Sequence, residues 1–172
     1  MIPAAPRVLG VDPGSLRAGW AVLGGDPEKP ILVACGDIPL PAGLSFPQRL
    51  ATLHAEMARI VGLHAPTEAA VESPFHGVSA RSALQLAHAR GVVLAALGTA
   101  GIPVAEYAPA SIKKAVTGSG RAEKEQVQAM IARLVPGAGS VRGPDIVDAI
   151  AAALCHLGVL RSRDRLARAV NR

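Results

Sequence analysis

The stretch Val8-Leu9-Gly10-Val11-Asp12-Pro13-Gly14-Ser15 reads as a short buried strand that stops at a carboxylate and turns. Val8, Leu9 and Val11 supply the apolar, β-rich run, and Pro13-Gly14 is a strong turn signal. Asp is a poor strand residue. A charge placed where a buried strand runs out needs a partner: a cation, a metal or helix-terminal amides. The ordinary alternative is an Asx turn, which Asp often opens. Whether other carboxylates converge on Asp12 decides between the two.

Working outward, 172 residues suit one domain with a real core. Hydrophobic residues make up 50% of the chain but aromatics only 2%, so that core is aliphatic. Trp20, Phe46, Phe75 and Tyr107 are the aromatic residues, and one of them placed in a loop calls for an explanation. Cys35 and Cys155 lie far apart in no metal-like spacing, which argues against a disulfide scaffold or a zinc site. No signal pattern opens the chain, and no apolar run reaches the roughly 18 residues of a spanning helix, so a cytoplasmic, membrane-free protein is expected. Most of the formal +5 charge sits in residues 161–172, where Arg161, Arg163, Arg165, Arg168 and Arg172 face only Asp164. Two regions are expected on that basis: a domain over 1–160 and a basic, flexible tail over 161–172.

Residues 7–12, 17–23 and 31–38 read as three strands with short connections, an antiparallel meander. Phe46, Leu50, Leu53, Met57, Ile60 and Val61 then repeat at helical spacing behind a Ser45 cap. A short fourth strand, residues 67–71, again ends in a carboxylate, Glu72, followed by Ser73-Pro74. If the first and fourth strands are parallel neighbours, Asp12 and Glu72 share one sheet edge, where α/β sheets place their sites. Residues 79–98 form a long helix whose Ala83, Ala87, Gly91 and Ala95 recur every four positions. That face suits either packing on the sheet or a seam between two copies. A fifth strand over 102–107 is followed by helices over 110–116 and 122–135. Between them lies the glycine turn 117–120, which is expected to be flexible. Lys113, Lys114, Arg121 and Lys124 flank it, an arrangement that suits phosphate oxygens as well as it suits solvated helix faces.

The last helix begins after Gly143-Pro144 with Asp145 and Asp148, three apart and on one face. Capping and the helix dipole explain acids there in the ordinary way, but residues 149–160 are almost wholly apolar, and burial carries the acids inward. Asp12, Glu72, Asp145 and Asp148 thus come from three segments. Such a cluster repels itself unless a hard divalent cation occupies it, and oxygen ligands point to Mg²⁺ or Mn²⁺. The chemistry inferred is metal-assisted phosphodiester hydrolysis.

Gly10-Val11-Asp12-Pro13-Gly14-Ser15, Val71-Glu72-Ser73-Pro74-Phe75, Arg90-Gly91-Val92, Ala122-Glu123-Lys124-Glu125-Gln126-Val127 and Asp145-Ile146-Val147-Asp148-Ala149-Ile150 together resemble, in order and spacing, the RuvC family of Holliday junction resolvases. The resemblance spans about residues 7–160. It implies a ribonuclease H-like α/β fold: a five-stranded mixed sheet with an antiparallel meander and helices on both faces. It also implies a homodimer that nicks two opposed strands of a four-way DNA junction in recombination and repair. Asp12, Glu72, Asp145 and Asp148 match the catalytic, metal-binding acids, holding two Mg²⁺ ions per site with Mn²⁺ able to substitute. Lys113 and Lys124 match junction-backbone contacts, and Phe75 an aromatic that wedges into the crossover. RuvA and RuvB, a branch-migration motor complex, are the implied partners. Two rivals stay in view: a ribonuclease H-type enzyme cutting RNA–DNA hybrids, and a non-catalytic nucleotide-binding module of related fold. The second leaves Glu72 and the Asp145/Asp148 pair without a task.

Overall fold

The computed structural model describes residues 6–26, 28–73 and 79–170. Its elements follow in the order β1 (Val8–Asp12), β2 (Arg17–Asp26), β3 (Lys29–Pro39), α1 (Phe46–His64), β4 (Glu68–Glu72), α2 (Ala80–Thr99), β5 (Val104–Tyr107), α3 (Pro109–Thr117), α4 (Lys124–Leu134) and α5 (Pro144–Val170). The strands form one sheet in the order β3-β2-β1-β4-β5. The meander expected from three closely spaced runs is present, β1 antiparallel to β2 and β2 to β3. β4 and β5 join in parallel, each reached through a helix, as parallel neighbours must be.

Strand alternation divides the side chains between two cores. Val8, Ala21, Leu23 and Ala70 point to α5 and pack with Ile146, Ala149, Ile150 and Ala153. Leu9, Val11, Val22 and Val71 point the other way, onto Leu53 and Met57 of α1 and Val93 and Leu97 of α2. Each large aliphatic side chain buried in this way contributes roughly 1.5–3 kcal/mol. The sheet is therefore covered on both faces, and β1 and β4 end at one edge with Asp12 and Glu72.

Two expectations change. On α2 the residues turned inward are Ala89, Val93, Ala96 and Leu97, whereas Ala83, Ala87, Gly91 and Ala95 are all exposed. Packing of the small-residue face on the sheet is thereby excluded; the larger Val93 and Leu97 gain more from burial and choose the face. At the C-terminus, residues 161–170 continue α5 without a break rather than leave as a separate arm. Arg161 and Arg165 both reach Glu28 Oε1, at 2.7 Å each, tying this stretch to the β2–β3 connection. Among the described residues no helix is long and apolar enough to cross a membrane, and both cysteines are free thiols.

Candidate active site

Asp12 and Glu72 owe their proximity to strand register. β1 and β4 run parallel with Val8 opposite Glu68 and Val11 opposite Val71, so the next residues close the two strands side by side. Both belong to the face that α5 covers. The turn after Asp12 is braced from the opposite side, where the buried Arg49 of α1 donates from Nη1 to the Ser15 carbonyl at 2.7 Å while its guanidinium lies over the Phe46 ring.

α5 brings the other acids. Two glycines let its backbone lie directly on the sheet: a Cβ on Gly10 would stand 2.0 Å from the Ala149 carbonyl oxygen, and one on Gly19 2.0 Å from that of Asp145. Gly19 is the antiparallel partner of Asp12. The first turns of α5 are therefore pressed against the strand end that carries Asp12. Asp12, Glu72 and Asp148 line one cleft of about 240 Å³, together with Arg90 of α2. Asp145 lies around the helix end in an adjoining hollow with Arg17 and Arg142, although its charge still acts on Asp12.

The electrostatics are those of unneutralised acids. Burial, then repulsion from Glu72, Asp148 and Asp145, pushes the Asp12 carboxyl up to about 8. Burial and Asp148 push Glu72 up to about 7, and burial raises Asp148, with Asp145 adding to it. Lys124 opposes all three shifts, and Lys113 opposes those of Glu72 and Asp148. Two lysines do not balance this many acids. Among the described residues no three His, Cys, Asp or Glu side chains are drawn into a ready-made metal cage; the acids stand around an open cleft, as mutual repulsion requires. A hard divalent cation fits this donor set, since it removes the repulsion and accepts carboxylate oxygens alone.

Lys113 and Lys124 enter a second cleft that shares Glu72 and Asp148, while Lys114 and Arg121 are exposed and outside it. The connection expected to be flexible is tied down. Thr117 Oγ1 donates to the Lys113 carbonyl at 2.8 Å and accepts from the Ser119 amide at 3.2 Å, with Gly118 in the left-handed region at φ 84°. Phe75 lies outside the described residues. Sequence reasoning gave Gly19 and Arg49 no part and carried Gly10 and Arg90 only inside motifs; glycines inside strands were a usable signal, because they mark close backbone approach.

The chain matches the family model described as crossover junction endodeoxyribonuclease RuvC over residues 8–156. It is 46% identical over 156 residues to the crossover junction endodeoxyribonuclease RuvC of Oleidesulfovibrio alaskensis, covering 91% of this chain and 93% of that protein. The enzyme of Acidiphilium cryptum with the same name is 41% identical, covering 96% and 98%. Among solved structures, Thermus thermophilus RuvC in complex with Holliday junction substrate superposes with a TM-score of 0.85 at 30% identity, over 91% of this chain and 96% of that one. The yeast mitochondrial Holliday junction resolvase shares the fold, with a TM-score of 0.64 at 15% identity and coverage of 91% and 81%. With two strand-end acids facing acids on the last helix, and with these matches running nearly its whole length, the chain belongs to the RuvC family of crossover junction endodeoxyribonucleases.

Proposed function

We propose that this protein resolves four-way DNA junctions by paired, metal-dependent nicks in opposed strands, in the service of recombination and repair. The observation that carries the reading is the convergence of Asp12, Glu72 and Asp148 on one cleft, each carboxyl raised by burial and by its acidic neighbours. Asp12, Glu72, Asp148 and, from the adjoining hollow, Asp145 would hold Mg²⁺, two ions per site, with Mn²⁺ able to substitute. Bound there, the ions supply an activated water and charge stabilisation at the leaving oxygen. Lys113 and Lys124 neutralise the approaching phosphodiester and keep it over the acids; Lys114 and Arg121 extend the cationic edge along the backbone. Phe75 serves as the wedge at the crossover, stacking on an unpaired base.

A homodimer completes the enzyme. A shallow groove between α1 and α2, lined by Leu50, Ala87, His88, Gly91, Val92 and Ala95, is exposed in the single chain, and its small residues allow a second helix to approach closely. Two-fold pairing of that surface places two sites for the two opposed strands. The Gly91→Arg variant is expected to run as a folded monomer in sedimentation velocity, giving up only the stability that dimerisation lends. A Cβ at Gly91 meets nothing within 4 Å in the protomer, and leaving Gly behind favours the helix. Dimers persisting in that variant would place the seam elsewhere. RuvA and RuvB remain the expected motor partners, and the cytoplasm the expected compartment.

The rival hybrid nuclease is separated by substrate competition in Mg²⁺. Paired nicks confined to a synthetic four-way junction, with matched duplex and RNA–DNA hybrid left whole, are expected; preferential cutting of the hybrid would reverse the assignment.

A further inference from the structure

Among the described residues, the cleft that holds Asp12, Glu72 and Asp148 contains one further charged group, Arg90. It comes from α2, one residue before Gly91 on the exposed helix face, and it is half-buried. One end of its guanidinium is paired through Nη2 with Glu106 of β5. Its Nε is buried and has no hydrogen-bond partner among the described residues. A charged donor shut away from water without an acceptor is costly, and a guanidinium presents its donors as a fork matched to phosphate oxygens. Among the described residues that line this cleft Arg90 is the one cation, and its side chain is still 28% exposed.

We propose that Arg90 is a phosphate-binding residue of the substrate site, giving its fork to the DNA strand held over the acids while Glu106 keeps the side chain in place before substrate arrives. This rests on the nuclease reading and adds to it a contact delivered by α2. The placement also joins two parts of the molecule, since the same helix turn that exposes Gly91 sends Arg90 into the cleft.

The alternative is a strut, an ion pair that only ties α2 to β5, and the two roles differ in salt dependence. Each phosphate neutralised on duplex DNA contributes about −0.9 to the slope of log affinity against log salt. Junction binding by the full-length protein is measured across a salt series in metal-free buffer for wild type, Arg90→Gln, Glu106→Gln and the double variant. Arg90→Gln is expected to bind roughly 10-fold more weakly at 0.1 M salt and to lose about one unit of slope, whereas Glu106→Gln keeps the wild-type slope. If Arg90→Gln folds poorly because Glu106 is left unpaired, the double variant is expected to recover melting temperature but not affinity or slope. Equal losses in the two single variants, or recovery of binding together with stability in the double variant, would make Arg90 a strut and overturn the proposal. Wild-type protein that binds duplex as well as junction would instead undo the junction reading, and leaves the comparison among variants interpretable on duplex alone.

Discussion

Asp12→Asn is expected to lose junction cleavage by roughly a thousandfold or more while becoming more stable than wild type in metal-free buffer at neutral pH. The stability half follows from linkage. The Asp12 carboxyl is raised to about 8 from an ordinary 3.8, chiefly by burial and then by Glu72, Asp148 and Asp145. Between those two values the folded protein holds a proton that the unfolded chain has released. More protons on the native state make stability fall as pH rises. Metal-free wild type therefore weakens progressively from about pH 4 to about pH 8 and levels off above. Glu72, raised to about 7, adds to the decline within the same window. Asparagine carries no such proton, so the variant escapes the Asp12 share, on the order of 5 kcal/mol by pH 8. Added Mg²⁺ is expected to reverse the ranking, stabilising wild type far more than the variant. Thermal melts over pH 4–9, with EDTA and with Mg²⁺, measure both halves. A variant less stable than wild type at pH 8 without metal would show that Asp12 is held by an attractive partner rather than crowded by acids.

Gly19→Ala is the second change with a large expected effect. Its added Cβ would lie 2.0 Å from the Asp145 oxygen and 2.2 Å from the Asp145 carbonyl carbon, both backbone atoms that no rotamer can move. Either β2 bows or the start of α5 lifts. Overpacking of this kind against backbone is expected to cost about 3 kcal/mol or more. Activity is expected to fall beyond what unfolding explains. Lifting α5 by about 1 Å moves Asp148 away from Asp12 and Glu72, and a misplacement of that size costs on the order of 100-fold. Melting curves and turnover by the folded fraction separate the two effects. A melting temperature and activity near those of wild type would mean that α5 floats free of the sheet edge. Gly10→Ala tests the same contact one turn along, against Ala149 and Ala153.

The parts of the fold that were legible beforehand share a cause. β1 and β4 each end an apolar run at an acid followed, directly or after one serine, by proline, and such a boundary has few other readings. α5 carried its acids before a long apolar run, so burial of one implied burial of the other. The α2 face was ambiguous because alanine and glycine contribute little whether in or out; Val93 and Leu97, on the opposite side, decided it. The end of α5 was misjudged because charge density suggests solvation, whereas Arg, Ala and Leu also favour helix, and Glu28, remote in sequence, pairs with two of the arginines. Arg90 could be read only as part of a motif. Nothing local announces that a helix residue reaches a cleft built from strand ends, and its orphaned Nε becomes visible only once β5 supplies Glu106. Asp145 was grouped with Asp148 by spacing, by the burial of the helix and by the family motif, and the structure sets it in the neighbouring hollow, acting on Asp12 through charge.

The most direct test is to count the ions. Mn²⁺ binding to the protein without DNA, followed by electron paramagnetic resonance on titration, is expected to show two sites per protomer in wild type. Both are expected to weaken strongly in Asp12→Asn, the acid that lies between Glu72 and the start of α5. Binding of Mn²⁺ that is absent in wild type at millimolar concentration, or unchanged in Asp12→Asn, would contradict a carboxylate metal centre at this sheet edge.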